Sequence, residues 1–381
     1  MRVALVHDWL TGMRGGEKVL EAFCERFPHA PIYTIVHVPG SVSAEIERHP
    51  IHTSFVQKLP RGPKAYQRYL PLLPSAIERF DLRGYDLVLS TSHCVAKGAR
   101  VHPGTRHLCY CHTPMRYVWP AYEEYFGAGR LKPPTSWIMP ILATWLRSWD
   151  VSTTVRVDSF AANSHHVAAR IKRWYGRQSR VIHPWVDTER FHPPAKQVRD
   201  GYDLILSALV AYKRIDVALA AYRGRSEQLV VAGTGVERNR LRRMAPRNVR
   251  FLGWCGPEET VRLVQGCRAL IFPGQEDFGI VPVEAMACGK PVVALGRGGA
   301  TETVVDGRTG LFFDGPDPQA LGQALDRLAA TEWDAGAIRK HALRFGRQRF
   351  DDEVDAWLSA ERCGAEGSVS RTWDRSSVAS A

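Results

Sequence analysis

Two carboxylates, Glu276 and Glu284, stand eight positions apart in PGQEDFGIVPVEAMACGKPVV (273–293), with Phe278-Gly279 between them. RALIFP (268–273) reads as a strand and GQED as the loop leaving its carboxyl end. FGIVPVEAMACG reads as the following helix, with Pro282 tolerated in the first turn and Gly289 as its stop. Glu276 then hangs in a cleft, and Glu284 lies about one turn into the helix, able to face the same ligand. A carboxylate accepts two hydrogen bonds, so each suits a vicinal diol, one on a sugar and one on a ribose. The amides of Phe278, Gly279 and Ile280 fall between them at the helix start, where a diphosphate would sit. Two diol clamps flanking a phosphate site describe a nucleotide sugar.

Other stretches could serve the same chemistry. HDWLTGMRGGEKVLEAF (7–23) places Gly15-Gly16 before a helix opened by Glu17. Bare amides there suit a phosphate or a sugar hydroxyl, and an ordinary tight strand-to-helix turn is the plain alternative. Lys213-Arg214 follows the strand DLILSAL (203–209), where two cations would neutralise a diphosphate or simply open a solvated helix. GTG (233–235) and GRGGATET (296–303) are not full GxGxxG motifs, and no acidic residue stands at the ribose-reading distance, which disfavours a nicotinamide enzyme. His112, in CYCHTP, reads on its own as a satisfied histidine at a strand end. Cys109-x-Cys111-His112 lacks the second ligand pair that a zinc site needs.

The elements that must position these residues follow from periodicity. Buried strands are expected at 2–7, 85–90, 107–111, 180–184, 203–209, 228–233, 268–273, 291–295 and 310–313. Helical stretches such as 17–27 and 318–330 alternate with them, which implies α/β architecture with doubly wound parallel sheets covered on both faces. A chain of 381 residues exceeds one comfortable core. FHPPAKQVRDGYD (191–203) breaks the alternation, so the expected domains are 1–195 and 196–345. A last helix over 346–363 is expected to pack back on the first domain, followed by a disordered tail over 364–381. In such sheets ligands bind outside the carboxyl ends of the strands, where these motifs fall.

Charge narrows the partners. The net charge is +12, with 25 Lys/Arg against 15 Asp/Glu in residues 1–195 and 26 against 24 beyond, so the excess lies in the first half. An anionic partner is expected there, a membrane surface or nucleic acid, with plain solubility as the alternative. QKLPRGPKAYQRYLPLLPSAIERF (57–80) mixes cations with aromatic and apolar residues, and WIMPILATWLRSW (137–149) carries three tryptophans. Both are too short to span a bilayer and suit its interface; for the second, a core or interdomain helix is the alternative. MRVALVHDWL reads as a first core strand rather than a secretory signal. The eight cysteines form no CxxC pair and fit reduced thiols, hence a cytoplasmic chain.

Residues 273–313 resemble the E-x7-E signature of retaining GT-B glycosyltransferases of family four. MRVALVHDWLTGMRGGEKVLE, CYCHTPMRYVWPAYEEYF (109–126) and LVAYKRIDVALAAY (209–222) resemble bacterial mannosyltransferases that build O-antigen and exopolysaccharide. The resemblance implies a GT-B fold of two Rossmann-like domains facing a cleft, with mannose moved from GDP-mannose to a glycan or lipid-linked saccharide. It implies that Glu276 contacts the donor sugar and Glu284 the ribose, that Lys213 holds the diphosphate, and that Gly15-Gly16 close over the donor. His112 matches the family's active-site histidine. The chain departs from the family at Ala208, where an arginine is usual, and Arg214 is the nearest substitute. No metal or cofactor is implied, since cationic side chains can carry the electrostatic work. With no carboxylate placed as a nucleophile, front-side attack by the acceptor hydroxyl is expected. A GT-B phosphorylase or a nucleotide-sugar epimerase shares the architecture. A nucleic-acid binder fits the charge, yet no stretch resembles a groove-reading motif.

Overall fold

A computed structural model describes residues 1–119, 122–127, 133, 135–194 and 201–366. Strands Val3–His7, Ile32–Thr34, Ile51–Thr53, Leu87–Ser92, Arg106–Cys111, Ser159–Ala162 and Arg180–Val181 (β1–β7) form one sheet in the order β3-β2-β1-β4-β5-β6-β7. Strands Tyr202–Leu206, Gln228–Ala232, Val249–Gly253, Ala269–Phe272, Val292–Leu295 and Gly310–Phe313 (β8–β13) form a second, in the order β10-β9-β8-β11-β12-β13. Every strand pairing is parallel. These are the two doubly wound, Rossmann-like sheets that the alternation implies. Strand order reverses between β1 and β4 and between β8 and β11, which opens a crevice at the carboxyl end of each sheet.

The continuous apolar runs have a direct cause: both faces of each sheet are covered. Val3 and Leu5 of β1 pack with Phe23 of the Gly15–Arg26 helix, whereas Ala4 and Val6 pack on the other face with Ile77 and Leu146. In the second sheet Leu204 and Val292 face one core, and Ile205 and Val293 the other. The last helix runs Arg347–Glu366, past the expected stop at Cys363. It seats Phe350, Val354 and Trp357 in the first sheet's core, and Trp357 Nε1 donates to Ser159 Oγ at 2.9 Å. Residues 195–200 of the expected linker and 367–381 of the expected tail lie outside the described residues.

The 57–80 stretch folds as short helical turns, Phe55–Lys58, Gly62–Ala65, Tyr66–Leu72 and Leu73–Glu78, with Lys58, Arg61, Lys64 and Arg68 exposed. The Thr135–Ser152 helix buries Ala143 and Leu146 but exposes Trp137 (72%), Ile138, Ile141 (74%) and Trp145. No helix among the described residues is long and apolar enough to cross a membrane.

Candidate active site

The expected site residues gather where the carboxyl ends of the two sheets meet. Glu276 leaves β11, and its backbone bridges Gly298 in the loop after β12. Phe278 is buried and stacks near His183 and Phe345, anchoring the turn. Gly279 caps the Ile280–Ala287 helix at φ 89°, a left-handed conformation that a β-carbon would strain. The helix follows as expected, with Pro282 in its first turn.

Both glutamates carry lysine partners. Lys213 Nζ donates to Glu276 Oε1, so the residues expected at the donor sugar and at the diphosphate lie side by side. Burial first, and then the Arg116 guanidinium, push Lys213 down to about 7; Asp277 opposes them. Glu284 is buried, and Lys18 Nζ of the Gly15–Arg26 helix reaches its Oε1 at 3.1 Å from the other half of the chain. Arg214 differs from expectation. It takes a left-handed conformation (φ 49°), and its Nε donates to Asp216 Oδ1 at 3.2 Å. Ala208 is exposed in the loop after β8 and carries no charge to the site.

The first sheet supplies the facing wall. Gly15 and Gly16 are the first residues of their helix rather than a loop before it, with Arg14 as the cap. A β-carbon on Gly15 would meet Ile280 Cδ1 at 2.7 Å, which shows how closely the two helix starts approach. Gly16 lies over two imidazoles: a β-carbon there would sit 3.5 Å from His112 Nε2 and 3.7 Å from His7 Cε1. His112 follows β5 directly; its amide donates to Ser92 O and its carbonyl accepts from Asn163 Nδ2. Its Nε2 is buried without a hydrogen-bond partner among the described residues. Burial, helped by His93 and His7, pushes His112 down to about 3, so the ring is neutral and can share a hydrogen bond with a sugar hydroxyl.

Beneath it lies a polar layer that the sequence reading missed. Asp8 accepts backbone bonds from His93, Cys94, Val95 and Ala96 at 2.6–2.9 Å, fixing the loop after β4. His7 shares a 2.6 Å bond with Thr91 Oγ1, and its Nε2 lies 3.8 Å from Glu17 Oε1. Burial works to raise the Glu17 carboxyl, but the neighbouring His7 imidazole, with His93 behind it, outweighs burial and holds Glu17 below its ordinary value.

Two further anchors join the halves. Asp277 accepts from both Arg116 and Arg170 of the first half, and its carbonyl accepts from Ser164 Oγ at 2.6 Å. Glu302 accepts from the amides of His165 and His166 at 2.8 Å, capping the His165–Tyr175 helix, and lies 3.0 Å from His183 Nε2. GRGGATET therefore serves the contact between the halves. Arg116 stands in the quoted CYCHTPMRY, four residues after His112; a cation just past a strand's carboxyl end was the available signal.

Residues 13–190 match the family model described as Glycosyltransferase Family 4, and residues 187–348 match the one described as Glycosyl transferases group 1. A D-inositol 3-phosphate glycosyltransferase of Streptomyces bingchenggensis is 30% identical over 229 residues, covering 50% of each chain. A GDP-mannose-dependent alpha-(1-6)-phosphatidylinositol monomannoside mannosyltransferase of Mycolicibacterium smegmatis is 31% identical over 255 residues, covering 56% of this chain and 64% of that one. The chain thus spans about half the length of the first curated relatives it matches. Among solved structures, Anabaena HepE in complex with UDP superposes with a TM-score of 0.71 at 17% identity, covering 94% of this chain and all (100%) of that one. Sucrose-phosphate synthase from Thermosynechococcus elongatus superposes with a TM-score of 0.69 at 19% identity, covering 96% and 100%. The fold is the two-sheet GT-B fold of these structural neighbours, and each half of the chain matches a glycosyltransferase family model.

Proposed function

We propose that this chain is a retaining hexosyltransferase that moves mannose from GDP-mannose to a glycan or lipid-linked saccharide at the cytoplasmic membrane face, in cell-surface polysaccharide synthesis. One observation carries the reading: Glu276 with Lys213, and Glu284 with Lys18, flank a helix start whose amides suit a diphosphate. The choice of mannose is supported by the resemblance and by the mannosyltransferase among the relatives. In the proposed reaction the bond from the sugar's anomeric carbon to the diphosphate breaks. The acceptor oxygen bonds that carbon on the same face, and its proton passes to the departing phosphate. Lys213 and the helix-start amides offset the growing phosphate charge. Glu276, Asp277 and Glu284 each hold a cation, and Glu17 holds the Arg14 amide, so none stands free as a nucleophile. That favours front-side attack over a glycosyl-enzyme intermediate.

Thermal-shift titration with GDP-mannose, UDP-glucose and ADP-glucose tests the donor; a saturating ligand at a hundred times its Kd adds about 2.7 kcal/mol. GDP-mannose is expected to stabilise most, and an α-linked product by NMR is expected from the α-linked donor. No stabilisation by any of the three overturns the reading. Sugar phosphate formed from inorganic phosphate, or an epimerised donor without acceptor, would instead identify a phosphorylase or an epimerase.

A further inference from the structure

We propose that the outer edge of β10 is a docking site for an extended acidic segment of another protein, which pairs with it as an added strand. The positive charge of the second half is concentrated there. Residues 236–250 hold six Arg against one Glu, whereas the rest of residues 196–381 hold 20 Lys/Arg against 23 Asp/Glu. Arg240 is paired with Glu237. Arg242, Arg243, Arg247 and Arg250 are exposed and have no carboxylate partner among the described residues. Neither the cleft chemistry nor the basic surface of the first half uses them.

The placement of these arginines selects the partner. β10 is an end strand of its sheet, paired on one side with β9. The opposite end strand, β13, is closed: Asp306 accepts from the Phe312 amide, and Arg327 donates to the Phe312 carbonyl. No side chain among the described residues closes β10 over 249–252 in that way. Val249 and Phe251 pack with Leu241 of the Arg238–Met244 helix, whereas Arg250 pairs with Val230, which faces the other core. Arg250 therefore stands on one face of the edge, and Arg242, Arg243 and Arg247 lie on or just after the helix that covers the other. Glutamates on both faces of an added strand each find a guanidinium, and the strand's backbone fills the open edge. A flat bilayer meets only one face, and a polyanion without amides cannot pair the backbone. The same charge deters unspecific edge pairing, so the site selects for acid. Val236 and Trp254, 88% and 73% exposed, follow β9 and β10 at their carboxyl ends and give the segment an apolar anchor.

The test is fluorescence anisotropy of the full chain with a labelled peptide of Glu-Glu-Val repeats, beside a twin N-methylated throughout and a Lys-Lys-Val counterpart. The glutamate peptide is expected to bind, and to lose roughly tenfold or more in affinity when Arg242, Arg243, Arg247 and Arg250 are all replaced by Gln. The N-methylated twin keeps the charge but loses its backbone donors, so a similar loss is expected for it, and no binding for the lysine counterpart. Bound glutamate peptide should also slow amide hydrogen exchange over 249–252. If the four-fold variant does not fold, Arg250→Gln alone and the twin comparison on the unchanged chain decide. Undiminished binding of the N-methylated twin would assign the surface to a polyanion rather than a strand and overturn the proposal. No binding of the glutamate peptide, equal binding of the lysine counterpart, or full binding by the folded arginine variants would overturn it as well.

Discussion

Glu284 shows what spacing could expose and what it hid. Its partner Lys18 is 266 positions away, and the Arg116–Asp277 contact spans 161. No local period records such contacts, whereas the glutamates, the glycines and the strand-end histidine each sit in a short segment whose turn chemistry is readable. Because Glu284 is buried, its carboxylate must be matched by Lys18 or by a ligand. Glu284→Ala is expected to weaken nucleoside diphosphate binding by about 1.5–3 kcal/mol, the range for hydrogen bonds to charged groups. Unchanged affinity in a folded variant, by calorimetry, would remove Glu284 from the ribose. Lys213 gives the site a pH dependence whose sign is fixed. Its proton is lost as pH rises through about 7, and a bound diphosphate favours the charged form, so binding takes up a proton. Affinity should fall between about pH 6.5 and about pH 8.5, by up to about tenfold per unit. Lys213→Arg, which keeps its charge throughout, should flatten the profile. Identical calorimetric heats in buffers of different ionisation enthalpy would show that no proton is taken up.

At the scale of elements, the first sheet's helical layer is pinned by a buried ion pair. Lys97 is 1% exposed; its Nζ donates to Asp150 O and Thr153 Oγ1 and lies 2.9 Å from Asp150 Oδ1. Asp150 also accepts from Trp119 Nε1 and Tyr175 OH, so one carboxylate ties the Thr135–Ser152 helix to the His165–Tyr175 helix and to the segment after His112. Removing one partner of a buried pair leaves a bare charge. Lys97→Met should cost about 3–5 kcal/mol in urea unfolding, and Lys97→Met with Asp150→Leu should cost clearly less. Equal costs would mean that the pair's charge is not what matters. The same scale shows which strands were readable. β1, β8 and β11 are apolar because helices cover both faces, and they were expected. Ile32–Thr34, Ile51–Thr53, Ser159–Ala162 and Val249–Gly253 were not. The first two are only three residues long, SFAA is made mostly of small side chains, and VRFLG carries an exposed arginine, so none leaves a continuous apolar run. DLILSAL was read too long for a related reason: the chain leaves the sheet after Leu206, and the Leu209 amide turns to Thr234 O at 2.8 Å.

For the molecule as a whole, the charge excess of the first half and the exposed apolar face of the Thr135–Ser152 helix call for one explanation. Lys58, Arg61, Lys64 and Arg68 lie on turns whose Tyr66 and Leu70 pack into the same core cluster as Ala143 and Leu146 of that helix. Basic and apolar surfaces therefore border one packed layer. An anionic bilayer would meet both, with cations at the headgroups and Trp137, Ile141 and Trp145 in the interface. Each cation near an anionic leaflet contributes about 1 kcal/mol, screened over about 8 Å at physiological salt, so the four together suffice for reversible association. The chain is expected to sediment with liposomes containing anionic lipid, to stay in solution with neutral ones, and to be released as salt rises. Replacing the four cations by Gln should abolish sedimentation and leave nucleotide affinity unchanged, because Glu276, Glu284 and Lys213 belong to the other half. Replacing Trp137 and Ile141 by Ser should weaken binding in a way that salt does not mimic, since apolar insertion is not screened. Equal sedimentation with neutral and anionic liposomes, or a four-fold variant that still binds, would end the membrane reading and leave the charge to solubility or to a soluble acceptor.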